Sequence, residues 1–530
     1  MFPAARMSRA GYATSLLRAA ARAGPLSSRT AARLAPLGRA PLALPLLALL
    51  APAGKAGCQT ATIQSRPTNP NVALTRQISR PLPPKGFWGK VRRVLSQCLR
   101  ILLRAAFLSA VAAPLLLSYP LARADPKLEA RHLSLCVSAV EACGAAVTKL
   151  SQWAGSRPDL FGQRFSDAFE RLQDDTRPHG FGHTERQLER AFGGGWRERI
   201  YVDEGRVLGS GCIGQVYMGR VLAGDRKGTE VAVKVLHPNI EYAIDADVDI
   251  LLAASRLLEA LPFAFAEKLA YLNLSGMVEE FADLLKMQLD LRQESDNIEL
   301  FAGNFAGEKM VRFPGLFKEL ETSKDVLVME YMDGMHLSEF TRRFKDDKAM
   351  LDRTCDLGVA TFCKMMFQDN FVHGDLHPGN IKFGEDGSLL VLDMGIAKRF
   401  SKADHDLLVG VLKAFIRAEG EEGAEVLLAD SRLSGNVYTK EQSDGFRKAL
   451  GDMARKARDD QSFFDSIGNY VAQVCDASAE YKVKMNQGFV SIALAVRVME
   501  GVALSLNKEC EIWRIANGYI VESKIKSFFR

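Results

Sequence analysis

Acidic residues are missing from the first 124 positions of this 530-residue chain, which contain 18 Lys and Arg. The whole chain carries a formal charge of +6, so the residues from Asp125 onward carry −12. The basic character therefore belongs to the N-terminal quarter and not to the folded body. Because a nucleic-acid surface needs clustered basic residues on that body, we expect no nucleic-acid partner.

Paired cysteine motifs are missing too. The nine cysteines are scattered, are odd in number and form no C-x-x-C pair. This pattern excludes a disulfide framework and predicts reduced thiols in an intracellular compartment. Hydrophobic residues make up 47% of the chain and charged residues 25%, which is the composition of a globular protein with one or two large domains.

The N-terminal segment, residues 1–58, is rich in Arg, Ala and Ser. That composition is typical of an organelle transit peptide. We expect a mitochondrial protein, with a plastid protein as the alternative because the two signals overlap; a disordered tail is the simpler interpretation. Residues 59–104 are predicted to form a basic, Pro-rich linker.

A single long uncharged run follows at residues 105–122, which read AAFLSAVAAPLLLSYPLA. Its length is at the lower limit for crossing a bilayer, although Pro114 and Pro120 weaken the prediction. Basic residues between Lys90 and Arg100 precede it, as expected for an anchor facing anionic lipid. We expect a transmembrane or membrane-associated helix here, and the alternative is a helix buried against the body.

A glycine turn begins the part of the chain that carries chemistry. Gly209, Gly211, Gly214 and Val216 fit the pattern G-x-G-x-x-G-x-V. The apolar, β-branched flanks predict a β-hairpin whose turn lies close over phosphate groups, because glycine leaves the backbone N–H groups accessible. A dinucleotide site would instead need a helix directly after the loop.

A lysine on an alternating strand follows about twenty residues later, the spacing of the third strand of a protein kinase. This residue is Lys234 in the sequence V-A-V-K-V, and its ammonium is expected to hold the α- and β-phosphates of ATP. Such a lysine needs a carboxylate partner. Glu294, on a helix predicted over 277–301, is the first choice, and the residues leave three competitors open: Glu279, Glu280 and Asp290.

The strand-like segment from Val326 onward ends in a short polar stretch. That arrangement suits the hinge of a kinase, where the backbone of Glu330 and Met332 would hydrogen-bond the edge of an adenine ring. A buried strand without a binding role is the simpler interpretation.

The most specific segment reads H-G-D-L-H-P-G-N from His373 to Asn380, and D-M-G follows from Asp393. Asp375 can accept a hydroxyl proton or orient the nucleophile, while Asn380 and Asp393 offer hard oxygen ligands for the Mg²⁺ on ATP. Phosphoryl transfer needs chiefly positioning and charge neutralisation.

The ordered series predicts a bilobal, protein-kinase-like α+β fold that uses ATP and Mg²⁺. We expect a β-rich N-lobe, a helical C-lobe and extra N-terminal helices. The predicted boundaries are 126–200 for the helical extension, 201–400 for the kinase core with the ATP site, and 401–530 for the helical C-lobe.

The series resembles the UbiB family of atypical kinases, also called aarF-domain or ADCK kinases. The resemblance is carried by HGDLHPGN, by KVLHP from Lys234, and by a K-x-G-Q-type motif that reads K-L-S-Q from Lys149 to Gln152. It spans about residues 126 to 510. The glycine loop and Gln288 most resemble the second aarF-domain kinase type, which is mitochondrial.

The resemblance also implies residue roles. The family's E-x-D-x-x-x-E motif reads Q-L-D-L-R-Q-E from Gln288 to Glu294, which pairs Glu294 with Lys234. It implies regulatory roles for Lys149, Gln152, Gln288 and Asp290. Because Gln288 replaces the Glu expected to pair with Lys149, that contact is not an ion pair, and we expect an N-terminal cover that is held more loosely or by other contacts.

The function implied by the resemblance is that of a mitochondrial kinase or ATPase, associated with the inner membrane and supporting coenzyme Q or lipid metabolism. Its expected partners are a lipid or quinone-like molecule and coenzyme Q biosynthesis proteins. No A-P-E segment follows Gly395, and the next predicted helix begins near Lys402, which favours a small-molecule or lipid substrate, or plain ATP hydrolysis, over a protein substrate. Two alternatives remain, namely a phosphotransferase of the aminoglycoside or choline kinase type and a non-catalytic, ATP-gated lipid-binding scaffold.

Overall fold

A computed structural model of the chain describes residues 87–122, 125–155, 168–169, 178–260, 274–317, 319–374, 376, 378–417, 419–433, 435–459, 467–485, 496, 499–507, 510, 512, 514–516 and 518–519. Two compact units are distinguished by their contacts: residues 83–115 with 119–530, and residues 1–82 with 116–118. The predicted transit peptide over 1–58 and the predicted catalytic residue Asp375 lie outside the described residues.

The named helices in the described residues are α1 Phe87–Ala122, α2 Pro126–Cys143, α3 Ala145–Gly155, α4 Phe181–Phe192, α5 Trp196–Arg199, α6 Ile240–Glu259, α7 Leu274–Met287, α8 Leu291–Asn304, α9 Leu337–Arg343, α10 Lys348–Cys363, α11 Lys402–Ile416, α12 Gly420–Leu433, α13 Lys440–Asp459 and α14 Ile467–Glu480. The strands are β1 Ile200–Ser210, β2 Gly214–Val221, β3 Glu230–Leu236, β4 Val311–Arg312, β5 Val326–Glu330, β6 Val372–His373, β7 Ile381–Phe383, β8 Leu389–Val391 and β9 Ala397–Lys398. A four-stranded sheet between residues 200 and 330 and a mainly helical part after residue 337 confirm the predicted α+β fold.

An antiparallel sheet in the order β1-β2-β3-β5 forms the N-lobe. Side chains alternate between its faces. On β3, Val231, Val233 and Val235 are buried in an apolar core that α4 and α5 also line. Lys234 therefore lies on the opposite face, together with Ala232, which belongs to a second core shared with α7 and α8.

The glycine segment forms the predicted hairpin between β1 and β2. The glycines of this hairpin differ in how much space surrounds them. A Cβ on Gly214 would lie 2.9 Å from the carbonyl oxygen of Val235, so this glycine allows β2 and β3 to approach closely. A Cβ on Gly209 would meet nothing within 4 Å, so the space over that part of the turn is open. The pairing of β1 with β2 is irregular between Val207 and Gly209, as is common for strands beside a functional site.

The helix predicted over 277–301 is in fact two helices. The chain leaves α7 at Met287 and begins α8 at Leu291. The break occurs because Asp290 is the N-cap of α8, and its carboxylate accepts a hydrogen bond from the backbone N–H of Arg292 at 3.1 Å. An N-cap of this kind satisfies an otherwise unpaired amide of the first turn. The break turns α8 toward the sheet and leaves Gln288 in the connecting turn.

The C-terminal helices share one large core. Buried side chains of α10 (Val359, Phe362) pack with those of α11, α12 and α13, including Leu408, Leu428 and Phe446. Because α9 and α10 belong to this core, the helical lobe begins near residue 337. The boundary predicted at 401 is therefore too late in the sequence.

The first described helix, α1, corrects the predicted linker over 59–104, since residues 87–104 are helical. Apolar residues recur at Val91, Leu95 and Leu99, and no proline interrupts the helix before Pro114, so a helix can begin well before the uncharged run. Among the described residues one segment is long and apolar enough to cross a membrane. It is Ile101–Ala122, with a mean hydropathy of 2.0 and an apolar window that the protein does not bury.

Candidate nucleotide-binding site

Three charged side chains meet beneath the glycine hairpin. Lys234 Nζ donates to both carboxylate oxygens of Glu294, at 2.9 and 2.8 Å, and to Oδ2 of Asp393 at 2.9 Å. The lysine comes from β3, the glutamate from α8 and the aspartate from the segment after β8. The structure thus places Glu294 on Lys234. Of the three competitors, Glu279 instead pairs with Arg256 on the exposed surface, Asp290 caps α8, and the side chain of Glu280 lies outside the described residues.

The two carboxylates differ in exposure and in charge state. Glu294 leaves 3% of its side chain exposed and Asp393 leaves 35%. Burial raises the pKa of Glu294 to about 7, against the opposing effect of Lys234. Burial alone would also raise the pKa of Asp393, but the charge and hydrogen bond of Lys234, the Gly395 amide and the charge of Lys149 hold it well below its usual range. Asp393 is therefore the firmly ionised and accessible member of the pair.

Lys234 itself stays charged. Burial would lower the pKa of Lys234, but the charges of Asp393 and Glu294 more than compensate and raise it above its ordinary value. Opposite charges within hydrogen-bonding distance favour the ionised form in this way. The site therefore presents a fixed ammonium group beside the partly exposed carboxylate of Asp393.

The D-M-G turn is held at three points. The ring of His373 hydrogen-bonds the carbonyl of Asp393 through Nε2, and Asn297 Nδ2 donates to the carbonyl of Met394 at 2.8 Å. The backbone N–H of Gly395 donates to Oδ1 of Asp393 at 2.7 Å. Met394 is fully buried, so the apolar position after the aspartate is part of the core. These contacts fix the direction in which the Asp393 carboxylate points.

Asn297 was not predicted from the sequence. It lies on the same face of α8 as Glu294, three residues later, and both are buried. Residues spaced by three or four lie on one side of a helix. One face of α8 therefore contacts both β3 and the D-M-G turn. A polar residue inside the apolar series Leu291, Ile298 and Phe301 was the available signal.

The predicted hinge lies where the chain passes from one lobe to the other. β5 ends at Glu330 in the N-lobe sheet, and Met335 pairs with Phe383 of β7 in the C-lobe. The Glu330 carboxylate accepts from the Gly315 amide at 3.2 Å, and the side chain of Met332 is buried. This segment therefore directly follows the strand that pairs with the Lys234 strand, β3.

The remaining predicted site residues lie either in the glycine hairpin, as Val216 and Gly211 do, or in the segment before Asp393, as Asn380 does. Val216, the cross-strand neighbour of both Gly209 and Lys234, is half-buried above the ammonium group, and Gly211 forms the hairpin turn. Asn380 ends a short helical turn after His373, and its carbonyl accepts from Leu392, next to Asp393, at 2.9 Å.

The predicted regulatory residues come from two places in the chain: Lys149 and Gln152 from helix α3, and Gln288 from the turn after α7. Lys149 and Gln152 are carried by α3, and the charge of Lys149 contributes to the low pKa of Asp393. Gln288 lies beside the D-M-G turn, since its Nε2 would be 3.4 Å from a Cβ on Gly395. The Oε1 atom of Gln288 is buried and accepts no hydrogen bond from the described residues. Lys149 therefore does not hydrogen-bond that oxygen.

The segment after Gly395 is short. Six residues separate it from α11, and two of them, in β9, pair with Val372 and His373 of β6. Asn370 fixes its end, because its side chain donates to the Phe400 carbonyl at 2.9 Å and accepts from the Phe400 amide at 3.2 Å. Asn370 has a backbone φ of 45°, a conformation that asparagine tolerates better than most residues.

Comparisons with known proteins agree with this geometry. Residues 171–427 match the ABC1 atypical kinase-like domain. The Saccharomyces cerevisiae protein named ABC1 family protein YPL109C, mitochondrial, is 25% identical over 500 residues, which cover 81% of this chain and 75% of that protein. The Schizosaccharomyces pombe protein named ABC1 family protein C21C3.03, mitochondrial, is 25% identical over 524 residues, which cover 84% of this chain and 74% of that protein.

A solved structure is also similar. It is the Mycobacterium tuberculosis protein Rv3197 in complex with erythromycin, which is 20% identical over 70% of this chain and 90% of that one, with a TM-score of 0.42. The classification rests on the domain match and the two fungal relatives, which span the segments that bring Lys234, Glu294 and Asp393 together. Residues 171–427 therefore carry an ABC1 atypical kinase-like domain, the domain of the UbiB or aarF-domain kinases, and the chain is similar to mitochondrial ABC1 family proteins over most of its length.

Proposed function

We propose that this chain is a mitochondrial, membrane-associated kinase or ATPase that binds Mg-ATP and acts on a lipid or quinone-like small molecule. The observation that carries the proposal is Lys234, held at 2.8 to 2.9 Å between the buried Glu294 and the partly exposed Asp393. A positively charged group fixed in this way is suited to binding the α- and β-phosphates, because its position does not have to be organised when the nucleotide arrives.

The two carboxylates have different tasks in this proposal. Glu294 is almost fully buried and remains on Lys234 to orient the ammonium group. Asp393 is more exposed and firmly ionised, so its oxygens can hold Mg²⁺ together with the side-chain oxygen of Asn380. Bound Mg²⁺ would neutralise charge on the phosphates. The donor set fits Mg²⁺, which prefers hard oxygen ligands and uses few of them from the protein when phosphate is present.

The acceptor is proposed to be small, and the short segment after Gly395 supports this. Six residues, held by β6 and by the two hydrogen bonds of Asn370, leave little surface on which a peptide could bind before α11 begins at Lys402. Asp375 would orient the acceptor hydroxyl or a water molecule. A protein substrate would need a longer surface beside it.

The proposed membrane association is supported by α1. Between Ile101 and Ala122 this helix contains one charged residue, Arg104, and its leucines are exposed, for example Leu103 at 62% and Leu121 at 68%. Arg104 is directed to the protein instead. Its Nε and Nη2 atoms donate to Asp247 of α6 at 2.6 and 2.8 Å. A buried ion pair thus attaches the apolar helix to the kinase domain, while the leucines remain available to lipid.

The proposed location rests on two observations. Both fungal relatives are named mitochondrial proteins, and the first 124 residues are basic without a single acid, as mitochondrial targeting requires. Association with the inner membrane and a role in coenzyme Q or lipid metabolism are supported by family resemblance, and the lipid arm of the experiment below addresses them.

The experiment compares the purified full-length chain with two variants in lipid vesicles. ATP binding and ATP hydrolysis are measured with Mg²⁺, with and without a quinone-like lipid. Asp393→Asn removes the proposed ligand, and Asp225→Asn makes the same change at an exposed turn as its control. We expect lipid-stimulated turnover in the wild type and in Asp225→Asn, and at least about a 100-fold loss in Asp393→Asn, the order expected when charge stabilisation at a reacting phosphate is removed.

Other outcomes identify the competing functions. Tight ATP binding without turnover, unchanged by Asp393→Asn, would favour the scaffold. Transfer of phosphate to a soluble amino alcohol or aminoglycoside, without lipid stimulation, would favour the small-molecule phosphotransferase. Absence of ATP binding in the wild type would overturn the proposal and both alternatives.

A further inference from the structure

The glycine turn is held from behind by one histidine. His237 directly follows β3, and its backbone N–H donates to the Ile213 carbonyl at 2.9 Å. Its side chain reaches the other end of the same turn, where Nε2 lies 2.9 Å from the carbonyl oxygen of Gly211. A third bond, from Gly211 N–H to the Gly214 carbonyl at 3.0 Å, closes the turn itself. His237 therefore hydrogen-bonds both ends of the Gly211–Ile213 turn, which is the turn predicted to lie over the nucleotide.

A second histidine supports the first. His179 Nδ1 lies 2.8 Å from His237 Nδ1, and the two rings meet edge to face at 89°. The other ring nitrogen of His179, Nε2, lies 2.8 Å from the hydroxyl of Thr184, which lies 3.0 Å from the hydroxyl of Tyr217. The hydrogen-bonded series therefore runs from Tyr217 on β2, through Thr184 and His179, to His237 and the glycine turn.

Hydrogen-bond chemistry gives this series one direction when both rings are neutral. A carbonyl oxygen only accepts, so His237 Nε2 carries a proton and His237 Nδ1 must accept. His179 Nδ1 is then the donor between the rings, and His179 Nε2 accepts from Thr184. The single hydroxyl proton of Thr184 is thereby used, which leaves Tyr217 as the donor to Thr184. Every donor in the series has one acceptor.

The surroundings keep the rings neutral. Burial, together with the neighbouring His237 and His183, lowers the pKa of His179 to about 4, and burial also lowers the pKa of His237. Among the described residues no carboxylate hydrogen-bonds either ring. His183 is occupied with the Leu236 carbonyl at 3.0 Å, at the end of β3. The assignment of donors above therefore holds at neutral pH.

We propose that His237, supported by His179, is a positioning residue that holds the Gly211–Ile213 turn at a fixed height over the bound nucleotide. The inference rests on the proposed function in that it assumes ATP lies under this turn. The open side of the turn, at Gly209, would face the phosphates, and the tethered side faces the two histidines. A turn fixed in advance loses less conformational freedom when ATP binds.

The test has one readout without nucleotide and one with it. Hydrogen–deuterium exchange of the peptide covering residues 209–216 is measured in the nucleotide-free, full-length chain. The affinity for Mg-ATP and the KM and kcat of turnover are measured on the same samples. His237→Phe keeps a ring but removes both ring hydrogen bonds, His237→Gln keeps a donor near the position of Nε2, and His179→Phe removes only the support.

We expect His237→Phe to exchange faster in this peptide and to raise the Kd and KM for ATP by about 3- to 10-fold, the loss of one or two hydrogen bonds, with a smaller change in kcat. His237→Gln should restore most of both losses, and His179→Phe should show the same pattern more weakly. His405→Phe is the matched control, because it also removes a ring-to-carbonyl bond, to Met366 at 3.2 Å in the C-lobe. It should change neither readout.

The outcomes separate this inference from the proposed function. Unchanged exchange at residues 209–216 in both phenylalanine variants would overturn the tether even if ATP binds normally. If the wild-type protein binds no ATP but the phenylalanine variants exchange faster than it at residues 209–216, the tether is kept and the proposed function is overturned. If His237→Phe fails to fold, the His179→Phe and His237→Gln variants decide the question, since equal ATP affinity in wild type and His179→Phe contradicts the proposal.

Discussion

Two lysines act on Asp393, and they come from different parts of the molecule: Lys234 from the N-lobe sheet and Lys149 from helix α3. Lys234 has two carboxylates within 2.9 Å, one of them almost fully buried. Lys149 also lowers the pKa of Asp393, but the family glutamate that would face it is Gln288 here, and the Gln288 Oε1 atom accepts no hydrogen bond from the described residues. Lys234 therefore acts on Asp393 by a direct hydrogen bond from the sheet, whereas Lys149 acts on it through its charge from α3.

The position of Lys149 depends on how α3 is docked. Ala146 of α3 is fully buried in the core that lies under the sheet. The helix starts after Gly144, which has a φ of 92°, and the preceding Cys143 carbonyl accepts from Arg104 of the apolar helix α1. The difference between the two lysines suggests that the Lys234 site is set within the kinase domain, while the Lys149 site is also sensitive to α1 and to whatever contacts it.

The largest effect is expected from removing the charged group of the first site. Lys234→Met leaves Glu294 buried without its partner, which typically costs about 3–5 kcal/mol of folding free energy. We expect a large drop in the free energy of unfolding by urea denaturation and loss of ATP binding by at least about 100-fold. Lys227→Met, at an exposed turn, is the matched control.

A second change separates stability from binding at that site. Adding Glu294→Gln to Lys234→Met removes the unpaired charge, so we expect part of the lost stability to return while ATP binding stays absent. Recovery of ATP binding in the double variant would contradict the assigned role of Lys234. Equal stability of the single and double variants would show that Glu294 is protonated once Lys234 is gone.

A smaller effect is expected from the contact that positions Asp393 itself. Asn297→Ala leaves the buried Met394 carbonyl without its donor, a loss of about 1–3 kcal/mol. Since the contact between Lys234 and Glu294 stays intact, we expect kcat to fall about 10-fold and the Kd for ATP to change by less than about 3-fold. Asn436→Ala, which removes a similar side-chain donor to the Ser431 carbonyl in the C-lobe, serves as the control. Parallel changes in kcat and Kd would refute the positioning role.

The first site was largely predictable from the sequence because its residues lie in short motifs with fixed local structure. An alternating strand brings Lys234 to the face opposite Val233, and a turn after a strand presents Asp393. What the residues alone left open was the carboxylate, since four candidates lay within the predicted helix. The capping by Asp290, which divides that helix and directs Glu294 to the sheet, depends on tertiary packing.

The contacts that hold the site were less predictable. Asn297, His373 and His237 bind backbone carbonyls of residues that are distant in the sequence. Because every residue has a backbone carbonyl, such a contact requires no particular residue type at the second position, and no sequence pattern reveals it. The extent of α1 was also wrong in the prediction, because basic residues among apolar ones were read as a linker. The helical spacing of Val91, Leu95 and Leu99 is the feature of the sequence that indicates this helix.

The Lys149 side of the site is tested by a change at Gln288. Gln288→Glu places a negative charge where the resemblance implies one, beside the D-M-G turn that carries Asp393. We expect an ion pair that holds α3 more firmly over the cleft and a weaker affinity for ATP, by about 3- to 10-fold, the order expected for one partly buried charge interaction. ATP titration and turnover measure it, and Gln442→Glu at the start of α13 is the control. Unchanged affinity and turnover would remove the support for a loosely held cover.

The smallest expected effect is a difference in pH dependence between the two sites. The pKa of Glu294 is raised from 4.5 to about 7 by burial, so the folded protein holds this proton more tightly than the unfolded chain does. The contribution of Glu294 to the free energy of unfolding is therefore fully present below about pH 4.5 and is lost as the pH rises through about 7. Binding of ATP has the opposite trend, because only the ionised carboxylate orients Lys234.

Between about pH 6.5 and 7.5 the ionised fraction of such a group rises about 3-fold, and we expect the affinity for ATP to rise by a similar factor. Glu294→Gln should bind ATP more weakly at every pH and should lose this slope. Gln288→Glu should retain the slope, because it leaves Lys234 and Glu294 in contact. An equal slope in the wild type and in Glu294→Gln would assign the titration to another group, such as the nucleotide phosphates.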